Sequence, residues 1–261
     1  MATQTITRLS RITLNSGAPV ARITLEHPPL NVIDIPMMEE LTEVLAEIES
    51  RPEIVGVILA GSQKAFSVGV DVAAHTPDKV NEMLPKFHAV IRALVASKKV
   101  IIAAVHGHCL GGGAELAMVC DLVYTSELAI WGFPEIKLGC YPPVAVTALA
   151  AVVGQKHAAD LVLTGRSITG KEAASIGLAN AVLAEVDLEH AVQETVQHLA
   201  KLSPAALAIT KKASYAWDSI HFDKGLARAE KIYFEELMKT KGAQEGIKAF
   251  LEKRPPVWEG K

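Results

Sequence analysis

Apolar positions along this chain fall into two kinds of run. Ile54–Leu59 and Val100–Val105 are short and almost unbroken, as in strands buried on both faces. Met37–Ile48 and Lys79–Ala96 repeat apolar residues at helical spacing. Asp34 can cap the first of these helices, with Pro36 in its first turn. Upstream, Arg8–Leu14 and Val20–Leu25 read as strands joined by the turn Asn15-Ser16-Gly17-Ala18-Pro19. A glycine-punctuated short helix, Gly112–Cys120, precedes two short strands, Leu122–Thr125 and Ala129–Phe133. This alternation predicts an α/β layer with a mainly parallel sheet.

After Pro143 helical patterns dominate: Val144–Val153, Lys156–Thr164, Lys171–Ile176, Leu188–Leu202, Pro204–Ala213, Lys224–Lys239 and Gln244–Leu251. The change of character predicts an α/β core over 1–200 and a helical region over 201–261. Leu226, Ile232, Tyr233, Leu237, Ile247 and Phe250 give that tail apolar faces, which need a core or a neighbouring subunit to cover them. There is no simple repeat and no low-complexity segment.

Composition narrows the class. Half of the 261 residues are hydrophobic and the mean hydropathy is +0.26, enough for a sizeable core. Aromatics make up only 5%, so aliphatic side chains must do most of the packing. A net charge of −3 gives no footprint for nucleic acid or an anionic membrane. Basic residues gather near the C-terminus (Lys248, Lys253, Arg254, Lys261), where they can serve a local phosphate. The three cysteines (Cys109, Cys120, Cys140) form no paired spacing, which suits a reducing compartment. The N-terminal MATQTITRLSRITL has no long apolar run, and nothing resembles a transmembrane segment. The expectation is a cytoplasmic protein.

The candidate chemistry lies in two turns. Glu115 follows the triple glycine of HGHCLGGGAEL (106–116), and Glu135 follows Pro134 in WGFPEIKLG (131–139). Two carboxylates beside backbone donors unshielded by side chains can move a proton while an oxyanion is held. The separation is 135 − 115 = 20 residues with two short strands between, an out-and-back path that can return both acids to one cleft. In Ser67-Val68-Gly69-Val70-Asp71 another glycine lets the backbone approach a ligand closely. Competing readings fit less well. Ala65-Phe66-Ser67-Val68-Gly69 lacks the first glycine of a nucleophile elbow. His106, His108 and Cys109 lack a second ligand cluster, so no metal is expected. Gly107 with Gly111-Gly112-Gly113 does not spell a dinucleotide fingerprint.

Taken in order, HPPLNVID (27–34), KAFSVGVDV (64–72), VIIAAVHGHCLGGGAELAMVCDL (100–122), FPEIKLG (133–139), LTGRSITGKEAASIGLAN (163–180) and EGIKAFLEKRPP (245–256) resemble the crotonase superfamily, the enoyl-CoA hydratase/isomerase group, nearly end to end. The resemblance implies a spiral of ββα units with C-terminal helices that assemble trimers or hexamers. It implies an oxyanion hole from the backbone N–H groups of Val70 and Gly112, with Val68, Asp71 and Gly111 as residues that bind the acyl-CoA substrate. Glu115 and Glu135 match the hydratase pair, Glu115 as base and Glu135 as proton donor, and two close carboxylates titrate together so that one stays protonated. Phe250 and Lys253 match positions near the adenine and phosphates of coenzyme A (CoA), which enters as part of the substrate with no other cofactor. One stretch departs from the pattern: Cys140-Tyr141-Pro142-Pro143-Val144-Ala145-Val146 stands where many hydratases are glycine-rich. With Tyr141 and Pro142 the acyl pocket should be rigid and bulky-walled. This stretch resembles members that hydrate cyclic dienoyl-CoA thioesters such as cyclohexa-1,5-diene-1-carbonyl-CoA. The resemblance also leaves room for double-bond isomerisation, another acyl-CoA reaction, or a non-catalytic RNA-binding relative. The intact pair and the charge favour hydration.

Overall fold

The computed structural model describes residues 6–258, with only the backbone described for 216–221. Lys261 of the C-terminal basic group lies outside the described residues. The chain begins with β1 (Ile6–Arg8), β2 (Ile12–Asn15) and β3 (Val20–Leu25), then α1 (Ile35–Glu49). The strand expected over 8–14 is broken. Leu9 N–H bonds to the Ile12 carbonyl at 2.9 Å, and Glu40 on α1 takes the N–H groups of Ser10 and Arg11. A neighbouring helix thus accepts the donors that a strand ladder would have used. Asp34 caps α1 as expected, its carboxylate accepting the Met37 N–H at 3.0 Å.

The core then winds in repeating units. β4 (Gly56–Gly61) and β5 (Ala65–Ser67) lead into α2 (Val80–Ala96). β6 (Val100–Val105) and β7 (His108–Leu110) lead into α3 (Gly112–Met118), and β8 (Leu122–Ser126) and β9 (Ile130–Gly132) into α4 (Pro143–Val153). The first strand of each unit joins one seven-stranded sheet, in the order β1-β2-β3-β4-β6-β8-β11. From β3 onward that sheet is parallel. The second strand of each unit joins a four-stranded sheet, β10-β9-β7-β5. This is the expected ββα spiral. α5 (Gln155–Thr164), β10 (Ser167–Thr169), α6 (Gly170–Ser175), β11 (Ala181–Leu183) and α7 (Glu185–Leu199) complete the α/β part.

The two helices expected over 204–213 and 224–239 are one, α8 (Pro204–Glu235), followed by α9 (Lys241–Leu251). No proline or glycine interrupts 205–224, so nothing stops the helix between them. Gly225 sits inside it where α8 crosses α4: a Cβ there would lie 2.8 Å from Thr147 Cγ2. Leu226, Tyr233 and Ile247 of the tail are buried against the chain's own core. No helix among the described residues is long and apolar enough to cross a membrane.

Candidate active site

The turn after β5 and the turn after β7 are pressed together. Gly69 has φ +103°, and a Cβ there would lie 2.9 Å from the Leu110 carbonyl and 3.2 Å from the Gly112 nitrogen. A Cβ on Gly112 would lie 2.7 Å from Val70 Cγ2 and 3.3 Å from the Val70 nitrogen. Side chains at these glycines would push the two backbones apart. Asn31 fastens the first turn. It is fully buried with φ +54°, a region that asparagine tolerates. Its Nδ2 donates to the carbonyls of Ala65 at 2.8 Å and Ser62 at 3.0 Å, and its carbonyl accepts from Ser67 Oγ at 2.7 Å. Ile33 N–H donates to the Gly69 carbonyl and Asp71 N–H to the Ile33 carbonyl. Consecutive N–H groups alternate sides in extended chain, so that of Val70 faces away from Ile33. Gly112 is the first residue of α3, whose N–H has no acceptor within the helix. The N–H groups of Val70 and Gly112 are thus neighbours.

Glu115, one turn into α3, is buried. Its Oε1 accepts the N–H groups of Val144 at 2.8 Å and Ala145 at 2.9 Å. These belong to the first turn of α4, which follows Pro142 and has no side-chain cap of its own. Glu135 sits in the one-turn segment Pro134–Leu138. A Cβ on Gly111 (φ +53°) would lie 2.7 Å from Glu135 Oε1, so this carboxyl rests on bare glycine. Its Oε2 is out of reach of solvent and has no hydrogen-bond partner. Burial raises the pKa of both acids. For Glu115 the two helix N–H bonds oppose the rise, whereas for Glu135 the neighbouring charge of Glu115 adds to it.

Both acids line one cavity of about 590 Å³. Val68, Val70, Asp71, Gly111, Gly112, Tyr141, Pro142 and Phe250 line it too. Asp71 also caps the turn Val72–His75 by accepting the Ala73 N–H at 3.0 Å. Lys253 is not in the lining: it is exposed, at φ +54°. Arg254 is in the lining, held by both oxygens of Glu245 at 2.6 and 2.9 Å. The lining also includes His75, Phe87 and Lys137, which the sequence patterns did not single out, with Cys140 of the departing stretch and Tyr233, read from sequence only as an apolar position of the tail. Tyr233 on α8 is buried, and its hydroxyl has no oxygen or nitrogen partner. Its ring meets Tyr141 edge-on, with centroids 5.3 Å apart. Only long-range packing brings these residues here. Residues 15–261 match the family model described as enoyl-CoA hydratase/isomerase.

The chain belongs to the enoyl-CoA hydratase/isomerase family.

Among its relatives, a cyclohexa-1,5-dienecarbonyl-CoA hydratase of Thauera aromatica is 36% identical over 251 residues, 96% of this chain and 97% of that one. A probable enoyl-CoA hydratase of Bacillus subtilis (strain 168) is 33% identical over 258 residues, 97% of this chain and all of the relative. The crystal structure of an enoyl-CoA hydratase from Mycobacterium avium subsp. paratuberculosis K-10 superposes with a TM-score of 0.87 at 25% identity, covering 97% of this chain and 100% of the other. The family and the spiral fold expected from the motifs are therefore borne out.

Proposed function

We propose that this family member is an acyl-CoA hydratase whose preferred substrate is a cyclic conjugated acyl-CoA. One observation carries the reading. Two buried carboxyls share a cavity with the paired turns at Val70 and Gly112, and their hydrogen bonding differs. Glu115 receives two N–H bonds, which favour its charged form. Glu135 has an orphaned oxygen, which favours its neutral form. That asymmetry suits a base and an acid.

In the reaction the thioester carbonyl oxygen sits between the N–H groups of Val70 and Gly112. Water held by both acids adds its oxygen to Cβ and gives one proton to Glu115. The π electrons move toward Cα and the thioester oxygen, whose growing charge the two N–H groups hold. Losing one such donor costs about 2.7–4 kcal/mol. Cα then takes the proton of Glu135, and the net change is addition of one water. Proton exchange resets the pair. Keeping both acids in one cavity favours hydration over isomerisation, which needs only one proton shuttle.

CoA enters with the substrate, and no metal or redox cofactor takes part. Phe250 and Lys253 serve its adenine and phosphate end. Residues 1–200 form the catalytic core, and 201–261 complete the CoA site and assemble a homotrimer or homohexamer. The protein works in the cytoplasm on acyl-CoA, in aromatic degradation, with no nucleic acid or membrane partner. The acyl wall supports the cyclic substrate. Tyr141, Pro142 and Pro143 are rigid and line the cavity, and the relative from Thauera aromatica bears a cyclic dienoyl name. Spectrophotometric assays of cyclohexa-1,5-diene-1-carbonyl-CoA and crotonyl-CoA test it. The expected result is a higher kcat/KM for the cyclic thioester; a higher value for crotonyl-CoA would return the protein to linear enoyl substrates.

A further inference from the structure

That mechanism leaves the Tyr233 hydroxyl at the cavity wall unused. Tyr233 is 1% exposed; its hydroxyl has no oxygen or nitrogen partner, only the weakly bonding Cys140 thiol beside it. A phenol buried with only a thiol beside it gains little over a phenyl ring in the same place, so packing alone does not call for the hydroxyl. Tyr141 shows the contrast: its hydroxyl donates to the Ala229 carbonyl at 2.6 Å, one turn earlier on α8. The Tyr233 hydroxyl lies beside the Cys140 thiol and near the Glu135 carboxyl, and burial followed by these neighbours keeps it protonated. Glu135 Oε2 is the other orphaned oxygen lining this cavity among the described residues. Two orphans on one space suit a ligand atom that both accepts and donates a hydrogen bond. A water or alcohol oxygen does this, and a hydrocarbon does not.

The tyrosine is also held in place from behind. On the preceding turn of α8, Glu230 Oε1 meets His88 Nδ1 at 2.5 Å and Arg92 Nη2 at 3.1 Å, both on α2. With the Tyr141–Ala229 bond, these contacts fix the rotation of α8 about its axis at the cavity wall.

We propose that Tyr233 is a further catalytic residue, its hydroxyl donating a hydrogen bond to the oxygen that adds to the double bond. The proposal rests on the hydratase reading. As water gives one proton to Glu115 and its oxygen bonds to Cβ, Tyr233 keeps its own proton and steadies that oxygen, first as water and then as the product alcohol. The substrate carbons make no such bond, so the contact distinguishes the hydroxylated acyl group from the unhydroxylated one.

Tyr233→Phe tests this, because it removes one oxygen and leaves the ring. Hydration kcat should fall about 10- to 100-fold, the range for a hydrogen bond to a group that carries charge, with Tm unchanged or higher. Binding is then compared by calorimetry in the Glu115→Gln background, where turnover is slow. Tyr233→Phe should weaken 3-hydroxybutyryl-CoA about three- to tenfold, the worth of one neutral hydrogen bond, and leave butyryl-CoA unchanged. Equal loss of both ligands, or a lowered Tm, would assign the hydroxyl to packing and overturn the proposal. A wild type that hydrates no thioester would remove the hydratase reading and this proposal with it. A wild type that hydrates, beside an equally active Tyr233→Phe variant, would remove this proposal alone.

Discussion

At the scale of single residues, the site stores its strain in two carboxyls. Each is buried with a raised pKa, so folding favours their neutral forms. The sign follows. The stability that each contributes is fully present below its unfolded pKa of about 4.3, and it is lost as pH rises through the folded value. Glu135→Gln, which cannot ionise, should therefore be near neutral at pH 5 and stabilising at pH 8, measured as a Tm difference that grows with pH. Its kcat should nevertheless fall by roughly 10²–10⁴, the usual worth of a general acid or base, as should that of Glu115→Gln. Near-normal turnover in either variant would remove that residue from the chemistry. These acids were legible in the sequence because each sits next to its own glycine or proline turn. Asn31 was legible as part of a motif but not as a fastener, since its partners at 62–67 are carbonyls that carry no residue-type signal. Tyr233 was visible only as one apolar position on a helix. Nothing local distinguishes it from Ile232 or Phe234.

At the scale of elements, the long buried strands were plain from their apolar runs, while the strands of the second sheet were mostly missed. β5, β7 and β10 have three residues each, too few for a period to show. α8 was split in two because its partners change along its length. Lys211 near its start pairs with Asp121 at 2.7 Å, its middle crosses α4, and its end lies on α2. An apolar stripe that must serve three neighbours does not keep one face. The fastening of its end is testable. Glu230→Ala leaves the fully buried His88 without its partner on Nδ1, at a cost of about 1–3 kcal/mol for an orphaned buried group. Amide exchange should quicken over 226–235 while α1 stays protected; a uniform change across the chain would argue against a local fastening.

At the scale of the whole molecule, the tail returns to the site it follows in sequence. α9 packs on the turns that carry Glu135 and His75, and Arg254 with Glu245 ties down the segment beyond it. Yet Phe250, Leu251, Val257 and Trp258 are 45–68% exposed there. Large apolar side chains exposed close together in sequence, one of them (Phe250) lining the cavity, mark an interface, and a closed ring would let each subunit cover the next one's tail. Light scattering should find a trimer or hexamer. Lys253→Ala should raise the KM for CoA thioesters and leave kcat alone, because the exposed lysine at 253 can meet a phosphate without touching the acyl group. A stable monomer with an unchanged KM would count against both expectations.

One oxygen atom links the proposed chemistry to the architecture. Glu115 Oε1 holds the first turn of α4, so the proposed base is also that helix's cap. A descendant of this chain released from selection for hydration would not be free to change position 115 at will. Alanine would strand two N–H groups, and aspartate, one methylene shorter, would pull the acceptor back from them. Glutamine alone keeps the reach and the acceptor while losing the base. Neutral drift would thus preserve the silhouette of an active site after its activity had gone, and a glutamine at this position in a related chain would be the mark of that history.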